Sequence, residues 1–175
     1  MLDENITFSA FLATTVDGYI ARSDGSIDFL DAANATMTPR GEDCGISKYL
    51  ASIDAIVMGR KTYLHVLSME NWMYGDIPLF VMSGEMKDLP VGSPPSYETS
   101  STRKISRVYV DGGQLVRSFI NASLLSEITI TVVPKLIGEG RSLFSGTQNV
   151  DMMLEECRHW EFGFVQSRYR MIYGS

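Results

Sequence analysis

Two short apolar runs each break into a turn suited to holding phosphate. Ala55-Ile56-Val57-Met58 runs into Gly59-Arg60-Lys61-Thr62, and Val108-Tyr109-Val110 runs into Asp111-Gly112-Gly113-Gln114. Each run reads as a buried strand, and each turn opens a segment with helical spacing. A helix start presents free backbone N–H groups and the positive end of the helix dipole, so it attracts anions. Glycine lets the backbone approach a bound group closely. Arg60 and Lys61 add mobile positive charge at the first turn. Two anion-binding turns on one sheet point to a ligand with separated phosphates, such as a dinucleotide. Taken singly, each turn is as well explained by a plain helix start or a tight connection; the pair favours a nucleotide site.

No other constellation competes with this one. His65 and His159 are isolated from any nucleophile or metal-type partner and read as structural. Cys44 and Cys157 are the only cysteines and lie far apart, so neither a metal set nor a disulfide framework is indicated. The ten methionines read as core filling. A net charge of -6 argues against nucleic acid as a partner, while leaving room for a local basic pocket.

The elements that must position these turns follow from periodicity. Strands are expected at 6–13, 54–58, 78–82, 107–110 and 127–133, with helical segments near 42–52, 62–67 and 114–121. Residues 23–26 and their surroundings read as a loop, with Phe29 and Leu30 as apolar anchors within it. The stretch 90–102 reads as loop with a short strand near Tyr97, and 134–144 as a glycine-containing excursion. Residues 160–173 are expected to form two strands that turn near Gln166-Ser167. Strands alternating with helices give an α/β class, a mixed and mostly parallel sheet with an antiparallel C-terminal edge and flanking helices. The 175 residues, 45% of them hydrophobic, fit one domain over 1–175 with a core that needs no disulfide. The acidic start, the scarcity of cysteine and the lack of a membrane-length apolar run lead to the expectation of a cytoplasmic protein without membrane attachment.

The usual Gly-x-Gly-x-x-Gly fingerprint does not join a strand to a helix anywhere: after Gly138-Glu139-Gly140, Leu143 stands where the third glycine belongs. Another geometry is needed, and one family has it. The segment from Ile56 to Tyr63 resembles the strand-to-helix turn of dihydrofolate reductases, and Val108 to Gly113 resembles their double-glycine turn. The closer resemblance is to the reductase domain of bacterial riboflavin biosynthesis and its stand-alone relatives. Their Asp-Gly-x-Ile recurs as Asp17-Gly18-Tyr19-Ile20, and their late Pro-x-x-x-Gly-x-Gly-x-x-Leu-Phe as Pro134 through Gly138, Gly140, Leu143 and Phe144. The matches run in order over roughly residues 6–170.

The resemblance implies a dihydrofolate-reductase-like three-layer fold, an NADPH cofactor and a homodimer. It places backbone around Ala13 and Ile20 at the nicotinamide, Gly59, Arg60, Lys61 and Thr62 at phosphates, and Ser83 near the adenosine. Gly112, Gly113, Gln114 and Leu115 would contact the pyrophosphate, and Thr131 the substrate. Arg60 or Lys61 would meet a 2′-phosphate. Counting back without gaps from Gly59 puts Asp43 at the acid position of dihydrofolate reductases, which makes it the candidate catalytic residue, although a first-turn acid also simply suits a helix start. The mark of the zinc deaminase that often precedes such domains, a His-x-Glu with a downstream Cys-x-x-Cys, does not occur. The expected function is NADPH-dependent reduction of a small pterin-like or pyrimidine-like heterocycle; the alternative is a nucleotide-binding module of the same fold without activity. For the homodimer, Trp160, Phe162, Phe164 and Tyr169 are the expected interface core.

Overall fold

β-branched and aromatic runs stack into one seven-stranded sheet, and the order of those strands decides where a ligand can enter. The computed structural model describes residues 6–69, 72–82 and 105–174. Its strands are β1 (Thr7–Thr15), β2 (Tyr19–Ala21), β3 (Ala55–Gly59), β4 (Leu79–Met82), β5 (Arg107–Asp111), β6 (Leu125–Val133), β7 (Arg141–Ser142), β8 (Asp151–His159) and β9 (Val165–Ile172). Its helices are α1 (Asp28–Met37), α2 (Ile46–Leu50), α3 (Arg60–Leu67) and α4 (Gly113–Asn121). The main sheet runs β4-β3-β5-β1-β6-β9-β8, and β2 pairs with β7 apart from it. From β4 to β6 all neighbours are parallel; β9 is antiparallel to both β6 and β8. This is the mixed, mostly parallel α/β sheet with an antiparallel C-terminal edge that the sequence implies.

The parallel strands are apolar on both faces because helices and loops cover both. Ile56 and Met58 of β3 pack on α3 through Tyr63 and Val66, while Val57 joins Val108 and Val110 of β5 and Val116 and Ile120 of α4 in a second cluster. A third, smaller cluster joins Ala33 of α1, Cys44, Val133 and Phe164. Each fully buried side chain of this kind adds about 1.5–3 kcal/mol to stability.

Two local expectations are corrected. The stretch holding Phe29 and Leu30 is the helix α1, not loop. Its buried stripe is only Phe29 and Ala33, one turn apart, and no side chain caps its start, so the usual helix signals are weak. The C-terminal hairpin turns at 160–164, not at Gln166-Ser167, both of which lie inside β9. There the Gly163 N–H donates to the Trp160 carbonyl and the Trp160 N–H donates to the Phe164 carbonyl, with Gly163 at φ +96°. β8 escapes a periodicity reading because it is an edge strand exposed along most of its length. Ser83, residues 84–104 with the strand expected near Tyr97, and the acidic start lie outside the described residues.

Candidate functional site

The sheet splits between β1 and β5. β1 pairs with β5 only from Thr7 to Ser9, yet pairs with β6 through Thr15. Beyond Ser9 and Tyr109 the two parallel strands diverge, and their carboxyl ends border a cleft of about 1380 Å³. Open α/β sheets bind ligands at this kind of place, outside the strand ends where neighbours part.

β3 and β5 are adjacent, so the two glycine turns form one continuous rim on that side of the cleft. Gly59 ends β3 in extended backbone and α3 begins at Arg60; Gly112 ends β5 and α4 begins at Gly113. Neither helix start is capped by a side-chain hydrogen bond, so both present N–H groups to the cleft. The turns also touch. A Cβ added to Gly112 would lie 2.2 Å from Thr62 Oγ1, and Gly112 sits at φ 91°, ψ 128°, a region only glycine adopts readily. The left-handed backbone therefore belongs to Gly112, and Gly113 is glycine for a different reason: a Cβ there would meet Ile20 Cδ1 at 2.1 Å. Arg60 and Lys61 are exposed and hold no ion pair among the described residues.

Ile20 reaches Gly113 because two remote motifs fold as one unit. Asp17 Oδ2 accepts from the N–H groups of Ile137 and Gly138, at 3.0 and 2.8 Å. Hydrogen bonds from Thr15 and from those N–H groups hold the Asp17 carboxyl below its ordinary range. The Leu143 N–H donates to the Gly18 carbonyl, and Gly140 lies so close to Ala21 that a Cβ would come within 2.4 Å of its carbonyl oxygen. With the β2–β7 pairing, these contacts lock the Asp17-Gly18 turn and the 134–144 excursion over the double-glycine turn.

Ala13, Ile20, Gly59, Arg60, Lys61, Thr62, Gly112, Gly113, Gln114, Leu115, Thr131 and Asp43 all line the cleft. Asp43 does so in a role that does not suit a proton donor. Its side chain is exposed, Oδ1 accepts from the Gly45 N–H at 2.8 Å, and Oδ2 accepts from the Ser47 N–H at 3.1 Å. Hydrogen bonds from Ser47 and then Gly45 pull its carboxyl below the usual range, so it stays ionised. The bland alternative for a first-turn acid describes what Asp43 does here: it fastens the start of α2.

The cleft contains a different carboxyl that sequence reading left in a turn. Asp111 is buried, and the hydroxyls of Tyr74 and Tyr109 approach its two oxygens. Tyr109 Oη lies 3.0 Å from the Phe11 carbonyl and 3.1 Å from Asp111 Oδ1. The one Tyr109 proton thus lies between two acceptors, the Phe11 carbonyl and Asp111 Oδ1. Burial pushes the Asp111 carboxyl up, against the downward pull of hydrogen bonds from Tyr74, Tyr109 and Gly112 and of the His65 charge. His65, read as structural, lines the same cleft; His159 does not.

On the β1, β6 and β9 side, Thr131 faces Ala13 on one neighbour and Gln166 on the other. Gln166 Nε2 donates to Thr131 Oγ1 at 2.8 Å and to the Cys44 carbonyl at 3.0 Å. Burial, with Glu42 and Asp43 nearby, pushes the Cys44 thiol up to about 11, so it is no nucleophile. Neither Gln166 nor Tyr74 was singled out from the sequence. The one available signal was Gln166 two places after Phe164, a polar residue at an inward strand position. The expected interface aromatics are also relocated: Phe164 is buried within the chain, and Trp160 and Phe162 pack beside it. Tyr169 packs on the main core. Exposed apolar side chains of this region include Met152, Met153 and Leu154 of the edge strand β8, with Val165 and Ile172 of β9. Glu127 is paired within the chain, to Arg107 and Arg168.

Comparison with known proteins agrees with this architecture. Residues 97–165 match the RibD C-terminal domain model. The chain is 31% identical over 157 residues to YwjB, an uncharacterized protein of Bacillus subtilis, covering 79% of this chain and 83% of that one. Its fold matches the crystal structure of a putative riboflavin biosynthesis protein from Shewanella sp. PV-4 with a TM-score of 0.82 and 28% identity, over 96% of this chain and 100% of that one. It also matches RibD of Acinetobacter baumannii, with a TM-score of 0.67 and 16% identity, over 96% of this chain and 58% of that one. No helix among the described residues is long and apolar enough to cross a membrane.

Proposed function

Because this chain belongs to the RibD C-terminal domain family, we propose that it is an NADPH-dependent reductase of a small heterocycle, pyrimidine-like or pterin-like. The observation that carries this reading is the rim made by the two uncapped helix starts of α3 and α4, with glycine where a Cβ would fill the cradle. The residues present fit a dinucleotide. The N–H groups that open α3 and α4 would receive its phosphates, and Arg60 and Lys61 would pair with a 2′-phosphate by charge-assisted hydrogen bonds. NADPH supplies the hydride in such chemistry.

The chain's own part is to bind and orient. Asp17 holds the excursion that seats Ile20 against Gly113, which closes one wall of the cleft. Asp111 is held between Tyr74 and Tyr109 behind the phosphate rim, where the two hydroxyls occupy its oxygens. Thr131 offers a hydroxyl on the opposite wall for the reducible ring. Asp43, fastened to the Gly45 and Ser47 N–H groups, is not placed to give up a proton, so the acceptor's proton comes by way of solvent or of the substrate's own groups. We further propose a homodimer, with β8 and its exposed Met152, Met153 and Leu154 as the contact strand.

The test is NADPH oxidation followed at its absorbance maximum with a panel of ribosylaminopyrimidines and dihydropterins. Turnover of one compound, with NADH much poorer, is the expected result. Tight NADPH binding without turnover of any compound would favour the inactive binding module instead.

A further inference from the structure

The Thr131–Gln166 pair carries more than a place in the wall. Gln166 is 7% exposed and Thr131 4%, so their polar atoms must find partners inside the protein or in the cleft. The amide orientation of Gln166 is fixed by chemistry. Its near neighbour on one side is the Cys44 carbonyl, which can only accept, so the amide nitrogen and not the oxygen points there. The other N–H of the same nitrogen then points at Thr131 Oγ1. Thr131 therefore accepts from Gln166, and its own hydroxyl proton has no acceptor among the described residues. Thr131 lines the cleft, so that proton is available to a ligand there.

We propose that Gln166 fixes Thr131 as a hydrogen-bond donor toward the cleft, so that the site selects a ring carbonyl over a ring amino group at that position. This rests on reading the cleft as a heterocycle site. Thr131 is the residue that touches the ligand, and Gln166 is its positioning residue. An amino group placed there would set donor against donor and leave the Thr131 proton buried and unpaired, which is how a built polar site rejects a near-isostere.

The experiment is calorimetric titration of the NADP+-loaded protein with two rings of the same size, 5,6-diaminouracil and 2,4,5,6-tetraaminopyrimidine. The first carries carbonyls where the second carries amino groups. Wild type is expected to bind the uracil about tenfold or more tightly than the tetraamine, the worth of one well-placed hydrogen bond. Thr131→Ser keeps the preference, and Thr131→Val loses it. Gln166→Glu would accept the Thr131 proton and turn a lone pair to the cleft, so the preference reverses. Gln166→Met frees the hydroxyl to rotate, so the preference shrinks. NADP+ affinity, unchanged across these variants, serves as the check that each is folded. Equal binding of both rings by wild type, no detectable binding of the uracil, or wild-type selectivity in Gln166→Glu and Gln166→Met would overturn the proposal. Failure of wild type to bind NADP+ at all would overturn the underlying reading and the proposal with it.

Discussion

The two walls of the cleft are built on different principles. The β3/β5 wall is backbone: two helix starts, two glycine turns and no side-chain cap. The opposite wall is side chain: Thr131 of β6, held from behind by Gln166 of β9, and the aromatic ring of Phe164, brought together from segments distant in sequence. A backbone wall recognises what all dinucleotides share, since N–H groups and a helix dipole read charge and not ring identity. A side-chain wall reads the pattern of donors and acceptors on one ring. Variation on the second wall can therefore change the substrate while the first keeps the cofactor.

The strongest way to break this contrast is at Gly112. Gly112→Ala adds a Cβ against Thr62 Oγ1 in a backbone region nearly closed to alanine, at a strain of about 1–3 kcal/mol. NADPH affinity is expected to fall by about a hundredfold, because the N–H groups that open α4 must shift, while a fold check by circular dichroism stays native. Gly113→Val acts more mildly on the backbone, since its obstacle is the movable end of Ile20.

Next is the pair of exposed cations. Arg60→Ala with Lys61→Ala should weaken NADPH by about tenfold to a hundredfold and NADH by much less, from charge-assisted bonds worth about 1.5–3 kcal/mol each before screening. Equal losses for both cofactors, measured by fluorescence titration, would take the 2′-phosphate away from these residues.

Much of the first wall was legible in the sequence and little of the second. Gly59 and Gly112 stand next to apolar strands, so local pattern alone marks both turns. Asp17 and Gly138 were legible as motifs but not as partners, because a hydrogen bond across 121 residues leaves no local trace. The Thr131–Gln166 contact joins β6 to β9, and it depends on a hairpin turn at Gly163 that the aromatic run around it disguised as strand. Asp43 shows the opposite failure. Spacing located a carboxylate at the cleft, while its chemistry was decided by the Gly45 and Ser47 N–H groups beside it.

Two smaller effects sharpen the comparison. Asp111 carries a raised pKa, so the folded protein holds its proton more tightly than the unfolded chain does. Its contribution to stability is full at low pH and declines as pH rises from the unfolded value of 3.8 toward the folded one. Asp111→Asn mimics the protonated form and should remove that decline; the check is the difference in urea midpoint between variant and wild type across pH. Asp43→Ala is expected to cost about 0.5–2 kcal/mol of stability as a lost helix-start contact, with turnover reduced only slightly. A drop in turnover of a hundredfold or more with unchanged stability would restore Asp43 as the catalytic acid.

The central claim is that the joined starts of α3 and α4 hold an NADPH dinucleotide. Its most direct test is a side-by-side titration of the wild-type protein with NADPH and NADH, followed by nicotinamide fluorescence, with Gly112→Ala as the paired control. The account predicts saturable binding of NADPH, at least about tenfold weaker binding of NADH, and near loss of both in Gly112→Ala. Binding of neither cofactor by wild type, or equal NADPH affinity in wild type and Gly112→Ala, would contradict it.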